Sequence, residues 1–248
     1  MHLFVEICSK RIKGAVWKNG SLQNEHSVDF PSQTELAGKE TLSDFLQHYG
    51  SLSTFDNVTC SVAQTNFTLV PAPLFSVADS SKFLQFNTTD KIVSSETDYA
   101  RFNYFNSVGV FSIPSWIKST LIPKFPGVII THERAILLRK LEQMSGGLKQ
   151  FTVILQDEYA LLSYVEAGNL KWHISSVVEH SDDVLYHLLN AFERLGITET
   201  TLNFYAYSSA AKAHLASLTE RKSKIETLQK HKWQVAGESH LQFQLLCV

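Results

Sequence analysis

Hydrophobic and polar positions follow the same order twice along the chain, once from Phe4 and again from Phe151. Each series begins with alternation typical of strands around a hairpin signal, Asn19-Gly20 in the first and Gly168-Asn169 in the second. A stretch with apolar residues at helical spacing and a further strand then follow. The pattern therefore predicts two similar domains, each built of strand, turn, strand, reversal, strand, helix and strand.

The helix of the second series has the clearer boundaries. We expect Ser181 to cap it, Asp182 and Asp183 to favour its positive end, and Gly196 to close it. Beyond the next strand, apolar residues from Ser208 to Leu228 keep a rough helical period. The last residues, LQFQLLCV, alternate and predict a terminal strand.

A strand-rich region at 87–113 has no counterpart in the second series, so we interpret it as an insertion in the first domain. Its aromatic residues predict two strands that turn near 106–109. Exposed rings here could recruit another chain by edge pairing or by ring burial, whereas buried rings would complete the core, which is the favoured interpretation. The exposure of Phe102, Tyr104 and Phe105 distinguishes the two.

Gly146-Gly147 ends a predicted helix and gives the domain boundary, with a first domain at 1–147 and a second at 148–248. The chain has 248 residues, of which 44% are hydrophobic and 19% charged, with a formal net charge of -2. These values are typical of a soluble globular protein and do not favour a polyanionic partner.

No apolar stretch is long enough for a membrane span, and the first residues lack the parts of a secretory signal, so we expect a cytoplasmic protein.

Cys8, Cys60 and Cys247 lie far apart in apolar segments, which favours buried thiols over disulfides or a metal site. Acidic residues interrupt the cations of 221–233, so the sequence predicts no nucleic-acid binding.

The duplicated order of elements resembles that of the actin, sugar kinase and Hsp70 ATPase superfamily. Longer phrases are similar to an uncharacterised Bacteroidetes family, domain of unknown function 3822: FTLVPAPLF, KFLQFN, FNSVGVFSIPSWI, FPGVIITHERAILL and LLSYVEAGNLKWHISSVVEHSDDVLYHLLNAFERLGI. The resemblance implies duplicated actin-like, ribonuclease H-like domains with mixed sheets, and no assigned activity.

In active members of that superfamily, the turn between the first two strands of each half carries Asp for a metal and Gly for a phosphate. The first turn here offers Ser9, Lys10 and Arg11, and the second offers Asp157 and Glu158, both without glycine. We favour solvated hairpin ends for these residues. Two alternatives stay open: the cations could hold a phosphate or carboxylate, or they could pair with the acids and hold the domains closed.

The junction that receives adenosine in the superfamily has a glycine pair, whereas Tyr207 and Ser208 stand there in this chain. A zinc site is not predicted either, because Ile136 occupies the position of a second ligand after His132. We therefore expect no catalysis, cofactor or metal.

The sequence favours an interaction or scaffold protein whose partner is another protein. The alternative is an ATP-binding protein, or a kinase or ATPase for a small substrate held between the domains. Self-association through the insertion or the terminal strand is a third possibility.

Overall fold

A computed structural model gives the structure of the protein. It describes residues 1–8, 11–29, 34–49, 55–63, 66–144, 149–156, 159–206, 208–236 and 240–247. The chain divides into two compact units, Met1–Lys140 together with Leu241–Val248, and Leu141–His240. The predicted boundary at Gly146-Gly147 lies outside the described residues and stays a prediction.

The first unit contains most of the elements before residue 145. In chain order these are β1 (His2–Ile7), β2 (Arg11–Lys18), β3 (Ser21–Asp29), α1 (Glu35–Gln47), β4 (Asn57–Val62), β5 (Phe67–Pro71), α2 (Ser80–Gln85), β6 (Thr97–Phe102), β7 (Ser107–Ser112), α3 (Ser115–Leu121), β8 (Ile129–His132) and α4 (Glu133–Met144).

A five-stranded mixed sheet of order β3-β2-β1-β4-β8 forms the centre of this unit. β1, β2 and β3 are antiparallel neighbours, whereas β4 and β8 run parallel to β1. Glu6 faces Lys13 on one side and Ser61 on the other. Because β1, β4 and β8 are parallel, their carboxyl ends share one edge of the sheet.

Helix α1 packs closely on this sheet at Gly14, where a β-carbon would lie 2.7 Å from Phe45 Cζ. α1 also approaches α3 closely, since a β-carbon on Gly38 would lie 3.2 Å from the Trp116 ring. Small residues thus allow the close approach of helix and sheet.

Residues His240–Cys247 form a 3-10 helix rather than the predicted strand, and Leu241–Val248 belong to the first unit. Leu241 packs with Phe4 and Ala15, and Gln244 is buried. Leu241, Phe243 and Gln244 are buried, so burial does not follow the alternation that predicted a strand.

Residues 66–113, called the inserted region from here on, include the predicted insertion at 87–113 and contain a three-stranded antiparallel sheet of order β5-β7-β6. The two predicted strands are confirmed as β6 and β7, with the turn slightly earlier, at 103–106. β5 lies before the predicted insertion. The solvent exposure of the three aromatic residues does not decide between core and interface: Phe102 is 1% exposed, Tyr104 is 77% exposed, and Phe105 is intermediate. The region therefore has both a buried and an exposed aromatic set.

The second unit has its own five-stranded mixed sheet of order β11-β10-β9-β12-β13. Its elements are β9 (Gln150–Leu155), β10 (Tyr159–Glu166), β11 (Asn169–Val177), α5 (Ser181–Leu195), β12 (Thr201–Ala206), α6 (Ser209–Lys222), α7 (Glu226–Gln229) and β13 (Lys232–Val235). One core of buried aliphatic and aromatic residues joins this sheet to α5, α6 and α7.

Two helix boundaries in this unit differ from the sequence prediction. Ser181 is the first helical residue of α5, and Asp183 instead satisfies the helix start by accepting the backbone N–H of His180 at 2.9 Å. Gly196 ends α5 with a left-handed backbone, as predicted. The predicted helix of 208–228 is two helices, broken at 223–225, and β13 follows unpredicted.

Candidate functional site

Most residues of the predicted nucleotide cleft lie outside the described residues. These are Ser9, Lys10, Asp157, Glu158 and Tyr207, and they stay predictions. Of the predicted set, the structure describes Arg11 and Ser208.

Arg11 joins two strands of the first sheet. Its Nε donates to Asp29 Oδ1 at 2.8 Å, and the two residues are register partners on β2 and β3. Both side chains are substantially exposed, so the pair contributes about 0–1 kcal/mol. This contact agrees with the interpretation of a hairpin end in solvent.

Ser208 caps α6. Its Oγ accepts the backbone N–H of Ala211 at 3.0 Å, which satisfies one of the free donors at the helix start. The side chain therefore has a structural role at the start of α6.

The turns that would carry the phosphate loops are closed by short backbone hydrogen bonds. Cys8 N–H donates to Arg11 O at 2.8 Å, and Gln156 N–H donates to Tyr159 O at 2.9 Å. Each bond leaves two residues between its partners, and none of the four is glycine.

The structure places a carboxylate at this end of β1 that the sequence analysis missed. Glu6 is 1% exposed, with Lys13 Nζ at 3.9 Å from its Oε1 and Cys8 Sγ at 3.8 Å from the same atom. The carboxyl ends of parallel strands are a common place for ligands in α/β folds. Its only sequence signal was one acid in an otherwise apolar strand.

Part of the chain covers the sheet beside Glu6. Gln244 Nε2 donates to Val5 O at 3.2 Å and to Ser61 Oγ at 3.0 Å, and Ser61 is the register partner of Glu6. Within the described part of the chain, Gln244 Oε1 has no hydrogen-bond partner. The 240–247 segment therefore occupies this part of the sheet in the structure.

His132 lies in the fold as a capping residue. Its Nδ1 accepts the backbone N–H of Arg134 at 3.0 Å, and its ring centroid lies 5.0 Å from that of Phe67. Arg134 lies over the same Phe67 ring at 4.5 Å, and burial lowers the pKa of Arg134 to about 10. In the described residues, no group of three or more His, Cys, Asp or Glu side chains could hold a metal ion.

Two shallow cavities of the first unit lie near the amino end of β1. One, of about 190 Å³, includes His48 and Tyr49, and the other, of about 410 Å³, includes His2 and Trp17. Neither is lined by Glu6 or Arg11. The cavities are therefore not at the carboxyl end of β1.

The inserted region presents large apolar side chains to solvent. Phe86 is 85% exposed, and the others are Leu74, Val77, Val93, Tyr99 and Tyr104. The Arg101 guanidinium lies over the Phe75 and Tyr99 rings, at 5.3 and 5.8 Å from their centroids. Within the described residues, no helix is long and apolar enough to cross a membrane.

Comparison with known proteins gives a family and a fold. A family model described as protein of unknown function (DUF3822) matches residues 2–229. No curated protein matches the chain.

Several solved structures share the fold. A Bacteroides thetaiotaomicron protein with actin-like ATPase fold and unknown function has a TM-score of 0.76 and 17% identity, covering 100% of this chain and 95% of that one. A chain of the PilM-PilN type IV pilus biogenesis complex has a TM-score of 0.54 and 12% identity, covering 99% and 94%. The ethanolamine utilization protein EutJ from Carboxydothermus hydrogenoformans has a TM-score of 0.54 and 9% identity, covering 98% and 87%. The predicted resemblance and the actin-like α/β fold class are confirmed.

Proposed function

This chain belongs to the DUF3822 family, and we propose that it is a non-catalytic protein that binds another protein through its inserted region. The surface concerned, the insertion surface, is made of the exposed side chains Leu74, Val77, Phe86, Tyr99 and Tyr104.

The exposure of these side chains carries the proposal. Phe86 and Tyr104 lie in turns and show most of their area to water. Several large exposed apolar side chains in one region of a chain favour an interaction site. Aromatic residues are also enriched at protein interfaces.

The side chains near the expected nucleotide site support a role without catalysis. Arg11 pairs with Asp29, Ser208 caps a helix, and Glu6 lies near Lys13. The loops at 9–10 and 157–158 are short and lack glycine. These features give little backbone for a polyphosphate.

The fold comparison supports assembly as a role for this architecture, by analogy alone. One structure with this fold is a complex of PilM with PilN. We further propose that the two sheets of equal strand order arose by duplication, and that the protein works in the cytoplasm.

Co-purification from the native cell tests this function. Wild-type protein and the variants Phe86→Ser and Tyr104→Ser would be isolated after cross-linking. We expect a partner that is retained by the wild type and lost by both variants. Tyr186→Ser, which changes an exposed tyrosine of the second unit, is the control and should retain the partner. Equal recovery with all variants would contradict the proposal.

Nucleotide binding is the second candidate, and Glu6 is the observation that favours it. A buried carboxylate at the end of β1 is close in sequence to the Asp expected in the superfamily turn. Calorimetric titration with ATP and Mg²⁺ tests it. ATP binding in the micromolar range, weakened by Glu6→Gln or Asp157→Asn, would overturn the non-catalytic function. The absence of a heat change with every nucleotide tested would support the non-catalytic function.

A further inference from the structure

Arg101 presents an exposed guanidinium beside two aromatic rings of the inserted region. Its Cζ lies 5.3 Å from the Phe75 ring centroid and 5.8 Å from that of Tyr99, and the two rings are 5.0 Å apart. Such cation–π contacts hold a guanidinium in place while its N–H groups stay available. The group is therefore positioned before any partner arrives.

Among the described residues, Arg101 has no carboxylate within salt-bridge distance, unlike Lys82 and Lys118 of the first unit. Lys82 pairs with Asp79 at 2.7 Å, and Lys118 pairs with Asp98 at 3.7 Å. A guanidinium supplies a planar fork of donors that matches a carboxylate. The Arg101 guanidinium can thus pair with a carboxylate of another molecule.

The edge of the inserted sheet favours side-chain recognition over strand addition. β6 is an edge strand, and Asp98 Oδ1 accepts the backbone N–H of Tyr99 at 2.8 Å. A donor that a new strand would need is therefore already satisfied. A partner would contact the face that carries the rings and the guanidinium.

We propose that Phe75, Tyr99 and Arg101 bind an acidic peptide segment of a partner protein. A carboxylate of that segment pairs with the Arg101 guanidinium, and an adjacent apolar side chain packs on the Tyr99 and Phe75 rings. This site rests on the proposed function and names the chemistry of its partner.

Selection of binders from a randomised nine-residue peptide display library tests the proposal on the full chain. We expect the peptides selected by wild type to share an Asp or Glu next to an aromatic or aliphatic residue. Replacing that acid by its amide should weaken binding by about tenfold or more, since hydrogen bonds between charged groups are about twice as strong as neutral ones. Selected peptides without an enriched acid would overturn the proposal.

Variants of Arg101 locate the site. Arg101→Gln should weaken the selected acidic peptides by about tenfold, and Arg101→Lys should restore only part of the affinity because it lacks the planar fork. Lys91→Gln, at another exposed cation of the same region, should bind like wild type. Thermal melting followed by circular dichroism should be the same for all four proteins.

Two outcomes separate this inference from the proposed function. If the native partner is lost with Phe86→Ser and Tyr104→Ser but retained by Arg101→Gln, the acidic site is wrong while the interaction function stands. If selected acidic peptides bind Arg101→Gln as tightly as wild type, the site is also wrong.

Discussion

Gly109 fixes the packing of two rings in the inserted sheet. A β-carbon at this position would lie 2.7 Å from Phe67 Cζ and 2.9 Å from Phe102 Cε2. Gly109→Ala should therefore lower the free energy of unfolding by about 1–3 kcal/mol, the usual cost of overpacking. Urea denaturation measures the change.

Gly127→Ala is the matched control, because a β-carbon there has no atom within 4 Å. It should change the free energy of unfolding by less than about 0.5 kcal/mol. Equal effects of the two substitutions would show that the rings near Gly109 move freely.

His231 makes the second unit sensitive to acid. The ring is buried, its two nitrogens have no hydrogen-bond partner among the described residues, and it stacks on Phe192 at 4.1 Å. Burial lowers the pKa of His231 below 6.5, with a further lowering from Lys222 and an opposing effect of Glu199. The unfolded chain therefore binds the proton more tightly than the folded protein.

The contribution of neutral His231 to stability is thus fully present above about pH 6.5. It is lost as the pH falls from 6.5 through the lower pKa that His231 has in the folded protein. His231→Leu should make the loss of stability on acidification smaller, as measured by urea denaturation between pH 7 and 4. His214→Leu should leave it as in wild type. A pH dependence unchanged by His231→Leu would contradict this assignment.

The sequence predicted strand positions better than it predicted individual polar contacts. The sequence placed Glu6 in an apolar strand, but it did not predict that Lys13 and Ser61 lie beside Glu6, because the register of the strands decides this. Gln244 bonds to Val5, 239 residues away in sequence. Such long-range pairings follow from tertiary packing, which local patterns do not contain.

At the level of elements, Asp183 determines how α5 begins. Its Oδ2 accepts the backbone N–H groups of Glu179 at 3.0 Å and His180 at 2.9 Å, and these bonds lower the pKa of the Asp183 carboxyl. Asp183→Ala should reduce the free energy of unfolding by about 0.5–2 kcal/mol, as for other caps.

Asp182→Ala is the comparison, because Asp182 makes an exposed ion pair with Arg221 instead of backbone bonds. Its effect should be smaller, since exposed pairs contribute about 0–1 kcal/mol. Thermal unfolding of the two variants ranks them, and a larger effect of Asp182→Ala would show that Asp183 does not act as the cap.

The elements that the sequence predicted well carry strong local signals. The hairpin at Asn19-Gly20 is present, with positive φ at both residues. The second hairpin turns at Ala167 and Gly168, one residue before the predicted Gly168-Asn169, again with positive φ at both residues. The predicted terminal strand was wrong because the alternation in LQFQ is a local signal, whereas the segment is a 3-10 helix whose Leu241 packs against Phe4 and Ala15. The short strand β13 was missed because its residues are mostly exposed.

At the scale of the molecule, the first unit is completed by residues distant in sequence. Leu241–Val248 belong to it although Leu141–His240 form the second unit. The duplicated pattern alone assigned 240–248 to the second domain, since a repeat predicts the order of elements and not the return of the chain to another core.

Leu241→Ala tests whether this segment stabilises the first unit. Leu241 is buried against Phe4 and Ala15, so its truncation should cost about 2–5 kcal/mol, whereas Leu74→Ala at an exposed leucine should cost less than about 0.5 kcal/mol. Hydrogen exchange followed by mass spectrometry locates the effect. Peptides from β1 and β2 should exchange faster in Leu241→Ala than in wild type, while peptides from β9 keep their rate. If β1 and β2 keep wild-type protection, the core of the first unit does not depend on the 240–247 segment, because a segment that seals the sheet must slow exchange beneath it.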